Sequence, residues 1–210
     1  MFDLDDTLYP ELDYARSGIA AVAQHISSPE YSTADIERVM LDVLEEGVRH
    51  KVFDVALERL GIRVPIAPLV QVYRSHSPSI QLSAAARETL EIARDVGAVG
   101  LITDGFAEVQ WSKIRALSLH SWIDHIVVTD ELGRHSWKPS EDGFRRIMEM
   151  CPATQYCYVA DNPEKDFQAP ARLGWTTVRT SVANPMYVRN VVMDARFVVQ
   201  ELSNIWDVWP

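Results

Sequence analysis

Phe2-Asp3-Leu4-Asp5-Asp6-Thr7-Leu8 places two carboxylates, Asp3 and Asp5, two residues apart directly behind an apolar residue. In an extended segment, residues two apart point to the same side, so the pair would stand together where a strand ends. Two carboxylates in one place repel unless a cation lies between them. An oxygen-only set of this kind suits Mg²⁺, which keeps several waters and takes one or two carboxylates together with a substrate phosphate. On their own the same residues would make an acidic turn. What they do depends on what the rest of the chain places beside them.

Two kinds of pattern follow. From about Tyr14 to Leu60 the apolar residues recur at helical spacing, as in Ile19, Val22, Ala23 and Ile26, and Pro29 breaks the run. Ser32-Thr33-Ala34-Asp35 reads as a helix start ahead of the stripe Ile36, Val39, Met40, Val43 and Leu44. Another stripe, Val52, Val55, Ala56 and Leu60, ends at Gly61, and Pro65 and Pro68 precede Leu69-Val70-Gln71-Val72-Tyr73. No alternating strand pattern interrupts this block.

After Pro78 the chain reads differently. A helix over Ala84–Val96 ends at Gly97, and Ala98–Ile102 reads as a buried strand leading into Thr103-Asp104-Gly105. A helix over Ala107–Leu117, a strand over Ile126–Thr129 and a helix carrying Phe144, Ile147 and Met148 come next. Pro139 is expected in the first turn of that last helix. Tyr156–Ala160 is a further strand, followed by a helix through Phe167–Leu173, the strand Thr176-Thr177-Val178 and Phe197-Val198-Val199. Short apolar strands alternating with helices indicate an α/β fold with a parallel sheet covered on both faces. The acidic pair, Thr103-Asp104 and Asp161 each follow an apolar strand directly, and in open α/β sheets the carboxyl ends of the strands are where ligands bind.

Taken in order, these stretches resemble the motifs of the haloacid dehalogenase superfamily, mostly Mg²⁺-dependent phosphatases. Asp3-Leu4-Asp5-Asp6-Thr7 resembles the family's D-x-D-x-T, and Leu101-Ile102-Thr103-Asp104-Gly105 its strand ending in Thr or Ser. Trp137-Lys138-Pro139 resembles its lysine before a helix, and Ala160-Asp161-Asn162-Pro163-Glu164-Lys165-Asp166 its acidic loop, with Ala160 where Gly is usual. The resemblance implies a Rossmann-like core over 1–11 and 79–210, with an α-helical cap inserted over 12–78. It implies Asp3 as nucleophile, Asp5 as general acid and base, Thr103 as a donor to a phosphoryl oxygen and Lys138 as the neutralising cation. Mg²⁺ would be held by Asp3, the main-chain carbonyl of Asp5, Asp161 and Asp166. A dehalogenase of the family shares the nucleophile but lacks the second motif-one Asp, so Asp5 argues for a phosphatase. A phosphomutase, or a non-catalytic relative with so short a first strand, is the other alternative. Asp6, Asp104 and Asp130 read as turn or capping residues. Arg16, Arg49, His50, Lys51, Arg74 and His76 are cap residues able to meet a polar substrate.

Composition narrows the partners. In 210 residues, 20 basic side chains face 30 acidic ones, for a formal net charge of −10. That argues against nucleic acid or an anionic membrane, both of which select basic patches. It leaves room for a small phosphorylated metabolite, because a metal and a few lysines invert the field locally. Cys151 and Cys157 are expected to be core thiols rather than a disulfide or zinc site. With no membrane-length apolar run and no leader-like segment ahead of the first motif, a cytoplasmic protein is expected. The sequence assigns no oligomeric state.

Overall fold

The computed structural model describes residues 1–182, 185–187 and 190–209. The chain divides into two compact units, Met1–Glu11 with Ile80–Pro210, and Leu12–Ser79.

The second unit is helical and carries no strand. Its elements are α1 (Glu11–Ile26), α2 (Thr33–Glu45), α3 (Val52–Leu60) and α4 (Ile66–Ser75). The Asp35 N–H donates to Ser32 Oγ at 3.1 Å, which satisfies one of the donors left open in the first turn of α2. Behind that cap, Ile36, Met40, Val43 and Leu44 are buried as one stripe. Gly61 stops α3 at φ +68°, a left-handed conformation that glycine enters without a steric penalty. Tyr73 meets Tyr14 edge to face at 5.5 Å between centroids, and His76 Nε2 lies 3.1 Å from Ser17 Oγ. These contacts join α1 to the end of α4.

The other unit alternates helix and strand. Its elements are α5 (Ala84–Val96), β1 (Gly100–Thr103), α6 (Ala107–Ala116), β2 (His125–Val128), α7 (Asp142–Met150), β3 (Cys157–Ala160), α8 (Gln168–Arg172), β4 (Thr176–Thr180) and β5 (Phe197–Val199). β2 pairs with β1, and β3, β4 and β5 pair in succession, every pair parallel. Phe2 joins the two groups, bridging Leu101 on one side and Val159 on the other. Four backbone bonds hold it there: Phe2 N–H to Gly100 at 2.8 Å, and Ile102 N–H to Phe2, Asp3 N–H to Val159 and Val159 N–H to Met1, each at 2.9 Å. The opening segment is short, yet it is paired along both edges at the centre of the sheet. The protein is thus an α/β molecule with a parallel, Rossmann-like sheet and an inserted helical unit.

One apolar cluster sets the floor of the site. Phe144 and Ile147 of α7 pack with Ile102, Val127, Tyr158 and Trp175, and the Phe144 ring meets Tyr158 at 4.9 Å and Trp175 at 5.4 Å. Burying a side chain such as Phe144 contributes about 1.5–3 kcal/mol. Two expectations are corrected here. Pro139 lies ahead of α7 rather than in its first turn, and the helix opens at Asp142, whose N–H donates to Ser140 Oγ at 3.3 Å. Cys151 and Cys157 are free thiols but only half-buried, because they sit at the exposed end of α7 and the first position of β3.

Candidate active site

The crossover of the sheet determines where the site is built. From the central segment the chain goes first to β1 and β2 on one side, then returns to β3, β4 and β5 on the other. The crevice at such a switch point is where open α/β sheets take ligands. Asp3, Thr103-Asp104 and Asp161 follow the three strands that meet there.

The structure brings Asp3, Asp161 and Asp166 together. All three are buried, and one carboxylate oxygen from each lies within 4.8 Å of the others. Lys138, with a fully buried side chain, reaches Asp3 Oδ1 at 2.7 Å and Asp166 Oδ1 at 2.8 Å. Its ammonium donates to Asp3 and to the Tyr158 hydroxyl at 3.1 Å, whereas the approach to Asp166 is an ion pair without hydrogen-bond geometry. Burial pushes the Asp3 carboxyl up to about 6, with the Lys138 ammonium opposing that rise and the Asp166 carboxylate adding to it. Burial would lower the Lys138 pKa, but Asp166 and Asp3 outweigh it and hold the ammonium well above the ordinary lysine value.

Asp5 has a different set of neighbours. Its Oδ1 accepts from Lys113 Nζ at 2.7 Å and from the Tyr9 hydroxyl. Burial would raise its pKa, but the Lys113 charge and the hydrogen bonds from Lys113 and Tyr9 prevail and hold it below the usual carboxylate range. Thr103 is buried and donates through Oγ1 to Gln110 Oε1 at 3.1 Å. Asp3, Asp5, Gln110, Lys113, Asp161 and Lys165 all line one cavity of about 420 Å³.

Among the described residues, five carboxylates at this edge (Asp3, Asp5, Asp104, Asp161 and Asp166) lie with three lysines, Lys113, Lys138 and Lys165. The clustered donors at Asp3, Asp161 and Asp166 are all carboxylate oxygens. That set fits a hard divalent ion such as Mg²⁺ at Asp3, Asp161 and Asp166. The Asp5 carboxylate lies outside that cluster, committed to Lys113 and Tyr9.

Asp6 and Asp130 cap helix starts as expected, whereas Asp104, Gln110 and Lys113 do more than the sequence reading assigned to them. Asp104 is more than a turn residue, since Oδ1 accepts from the Thr129 hydroxyl at 2.7 Å and the Lys138 N–H at 3.2 Å, and Oδ2 from Lys165 at 2.9 Å. Asp6 accepts the N–H of Glu11 at 2.8 Å, where α1 begins. Asp130 accepts the N–H of Ala107 at 3.0 Å and so caps α6 from a distant loop. The sequence signal that points to Gln110 and Lys113 is polarity on an inward helix face: they stand three apart on α6, and both are buried beside Val109 and Ile114.

Known proteins resemble this chain in sequence and fold. A family model described as haloacid dehalogenase-like hydrolase matches residues 1–174. The glyceraldehyde 3-phosphate phosphatase of Methanopyrus kandleri is 29% identical over 193 residues, covering 85% of this chain and 82% of that protein. Among solved structures, the HAD-hydrolase YfnB of Bacillus subtilis bound to magnesium superimposes with a TM-score of 0.71 at 19% identity, covering 99% of this chain and 96% of that one. The L-2-haloacid dehalogenase of Xanthobacter autotrophicus does so at 0.63 and 14% identity, with 99% and 96% covered. At these identities the two structures share the fold. Among the described residues, no helix is long and apolar enough to cross a membrane.

Proposed function

The chain belongs to the haloacid dehalogenase-like hydrolases, and we propose on that basis that it is a Mg²⁺-dependent phosphatase of small sugar phosphates working through an aspartyl-phosphate. The observation that carries this reading is the pair of carboxylates on one cavity with separate cations, Lys138 on Asp3 and Lys113 on Asp5. One carboxylate can serve as nucleophile while the other handles protons. The similarity to glyceraldehyde 3-phosphate phosphatases supports the substrate class.

In the first step an Asp3 oxygen attacks phosphorus and the bond from phosphorus to the leaving oxygen breaks. The departing alkoxide takes its proton from Asp5 in the protonated form, the minority form while Lys113 and Tyr9 favour the carboxylate. In the second step water attacks phosphorus and gives a proton to the Asp5 carboxylate, and Asp3 is released with inorganic phosphate. Lys138 keeps Asp3 in place and offsets the charge that gathers on the phosphoryl oxygens. The Thr103 hydroxyl, held at the end of β1 and donating here to Gln110 Oε1, would turn its one hydrogen to one of those oxygens in the substrate complex. Mg²⁺ bound by Asp3, Asp161, Asp166 and the Asp5 carbonyl would offset the clustered carboxylates and polarise the phosphoryl group. A halide leaves without a proton, so a dehalogenase would have no use for Asp5 on this cavity. The helical unit Leu12–Ser79 is proposed as the cap that selects the substrate.

The test is phosphate release from glyceraldehyde 3-phosphate and a panel of related sugar phosphates, with and without Mg²⁺, for the native protein and Asp3→Asn. Release that needs Mg²⁺ and vanishes in Asp3→Asn is expected. Near-normal turnover by Asp3→Asn, or chloride release from a 2-haloacid by the native protein, would overturn the reading.

A further inference from the structure

We propose that Gln110 and Lys113 are positioning residues of the reaction, a clamp on α6 that orients the Asp5 carboxylate and the Thr103 hydroxyl together. The proposal rests on the phosphatase reading above and assigns a role to two residues outside the family-like motifs.

The geometry distinguishes the two oxygens of Asp5. Oδ1 is taken up by the Lys113 ammonium at 2.7 Å and the Tyr9 hydroxyl. Among the described residues, Oδ2 receives the long contact from Gln110 Nε2 at 3.4 Å and no shorter one. A carboxylate oxygen with two strong donors has little capacity left for a third group, whereas Oδ2 retains it. Oδ2 is therefore the oxygen that gives a proton to the leaving alkoxide and takes one back from water.

Gln110 also reaches Thr103, the residue assigned to phosphoryl binding, and holds its side chain in place until substrate takes over the hydroxyl. With Asp5 ionised, the Gln110 amide has one workable orientation: the nitrogen faces Asp5, because a carboxylate only accepts, and the oxygen then accepts the Thr103 hydroxyl at 3.1 Å. The side chain is 3% exposed and packs against the loop after β1. A Cβ at Gly105 would come within 2.5 Å of Gln110 Nε2, and Gly105 also holds φ +124°. The loop thus takes a glycine where the amide passes. Lys113, one turn further along α6 and equally buried, fixes Asp5 from the same helix face. A buried ammonium is tolerated only when it is paired, and Asp5 is the carboxylate it pairs with here.

The prediction concerns the leaving group. Asp5 matters most when the leaving oxygen is a poor leaving group, so loosening the clamp should injure an alkyl phosphate more than an aryl phosphate. For Lys113→Met, kcat on glyceraldehyde 3-phosphate should fall about 10- to 100-fold, the size expected from a small misplacement of a reacting group. KM should stay within about twofold, and kcat on 4-nitrophenyl phosphate should fall less than about threefold, because that leaving group needs little proton help. Lys113→Arg should restore most of the loss. Gln110→Ala should show the same selectivity at smaller size, and it decides the matter if Lys113→Met does not fold. Equal slowing on both substrates, a change in KM alone, or a faster alkyl reaction would overturn the clamp. The same assay on Asp3→Asn addresses the phosphatase reading separately: if that variant keeps its activity, the reading fails, whereas an unchanged alkyl-to-aryl ratio in Lys113→Met removes the clamp alone.

Discussion

The two carboxylates that open the chain stand two residues apart in surroundings of opposite electrostatic character. Asp3 shares its space with Asp161 and Asp166, and Lys138 contacts Asp3 and Asp166. Asp5 faces one lysine, Lys113, and a phenol. The first region gathers three carboxylates, and the second joins one carboxylate to a lysine and a phenol. Burial and neighbouring carboxylate raise the pKa of Asp3 to about 6, while Lys113 and Tyr9 outweigh burial and depress that of Asp5. A region that gathers carboxylates suits a bound cation. A carboxylate held by two donors suits a side chain whose orientation matters.

The contrast can be tested by substitutions that affect one region and spare the other. The largest effect is expected for Asp5→Asn. Hydrolysis of an alkyl phosphate should fall by about 10²–10⁴-fold, the usual worth of general acid help. The aspartyl-phosphate should accumulate with an aryl phosphate, because water attack then lacks its base. Rapid-quench measurement of the phosphoenzyme reads both effects, and equal slowing of its formation for the two leaving groups would remove Asp5 from the acid role.

Next in size is Lys138→Met, which leaves Asp3 and Asp166 facing one another without their cation. Removing one partner of a buried ion pair costs about 3–5 kcal/mol, so urea unfolding in the absence of metal should shift by that amount. A loss under 1 kcal/mol would mean that Lys138 is not the cation on which Asp3 and Asp166 depend.

A smaller effect separates the regions directly. Mg²⁺ at about a hundredfold above its Kd should stabilise the fold by about 2.7 kcal/mol, seen as a rise in melting temperature. Asp161→Asn should abolish that rise and Asp5→Asn should keep it, since the Asp5 carboxylate is engaged elsewhere. Loss of the rise in Asp5→Asn would merge the two regions into one site.

The smallest effect concerns Asp104. Burial would raise its pKa, but Lys138 and Lys165, with hydrogen bonds from Lys165 and Thr129, outweigh burial and hold it below 3.8. A depressed folded value means that the unfolded state binds the proton more readily. The contribution is therefore complete above about 3.8 and is lost as pH falls through the folded value. Asp104→Asn should be less stable than the native protein at pH 7, with the gap closing towards pH 3 in urea titrations. A gap that stays constant with pH would show that the carboxylate charge contributes nothing.

Much of the architecture was legible in the sequence, because the signals that set it are local. Gly97 ends α5 where its apolar pattern stops, and Ser32 caps α2 three residues ahead of Asp35. β1 runs from Gly100 to Thr103 rather than from Ala98, so the shift is at its start; the end that presents Thr103 is in place. Pro139 was misplaced because proline preference describes a helix start in general, while the loop from Gly133 to Glu141 here is held by partners outside it. Asp104 accepts from the Lys138 N–H, and Asp130 from the Trp137 indole at 3.2 Å.

By itself the sequence determined the order of strand ends and the chemical type of each residue at them, through spacings of two to four positions that one strand or one helical turn can read. It could name Asp3, Asp5, Thr103, Lys138, Asp161 and Asp166, but it could not say which cation each carboxylate meets. Lys113 reaches Asp5 across 108 positions and Lys138 reaches Asp3 across 135. Such pairings follow from strand register and from which face of α6 and which floor residue of β3 pack inward. Those outcomes depend on the whole core, because a buried ammonium finds its partner only once the surrounding apolar side chains have closed over it.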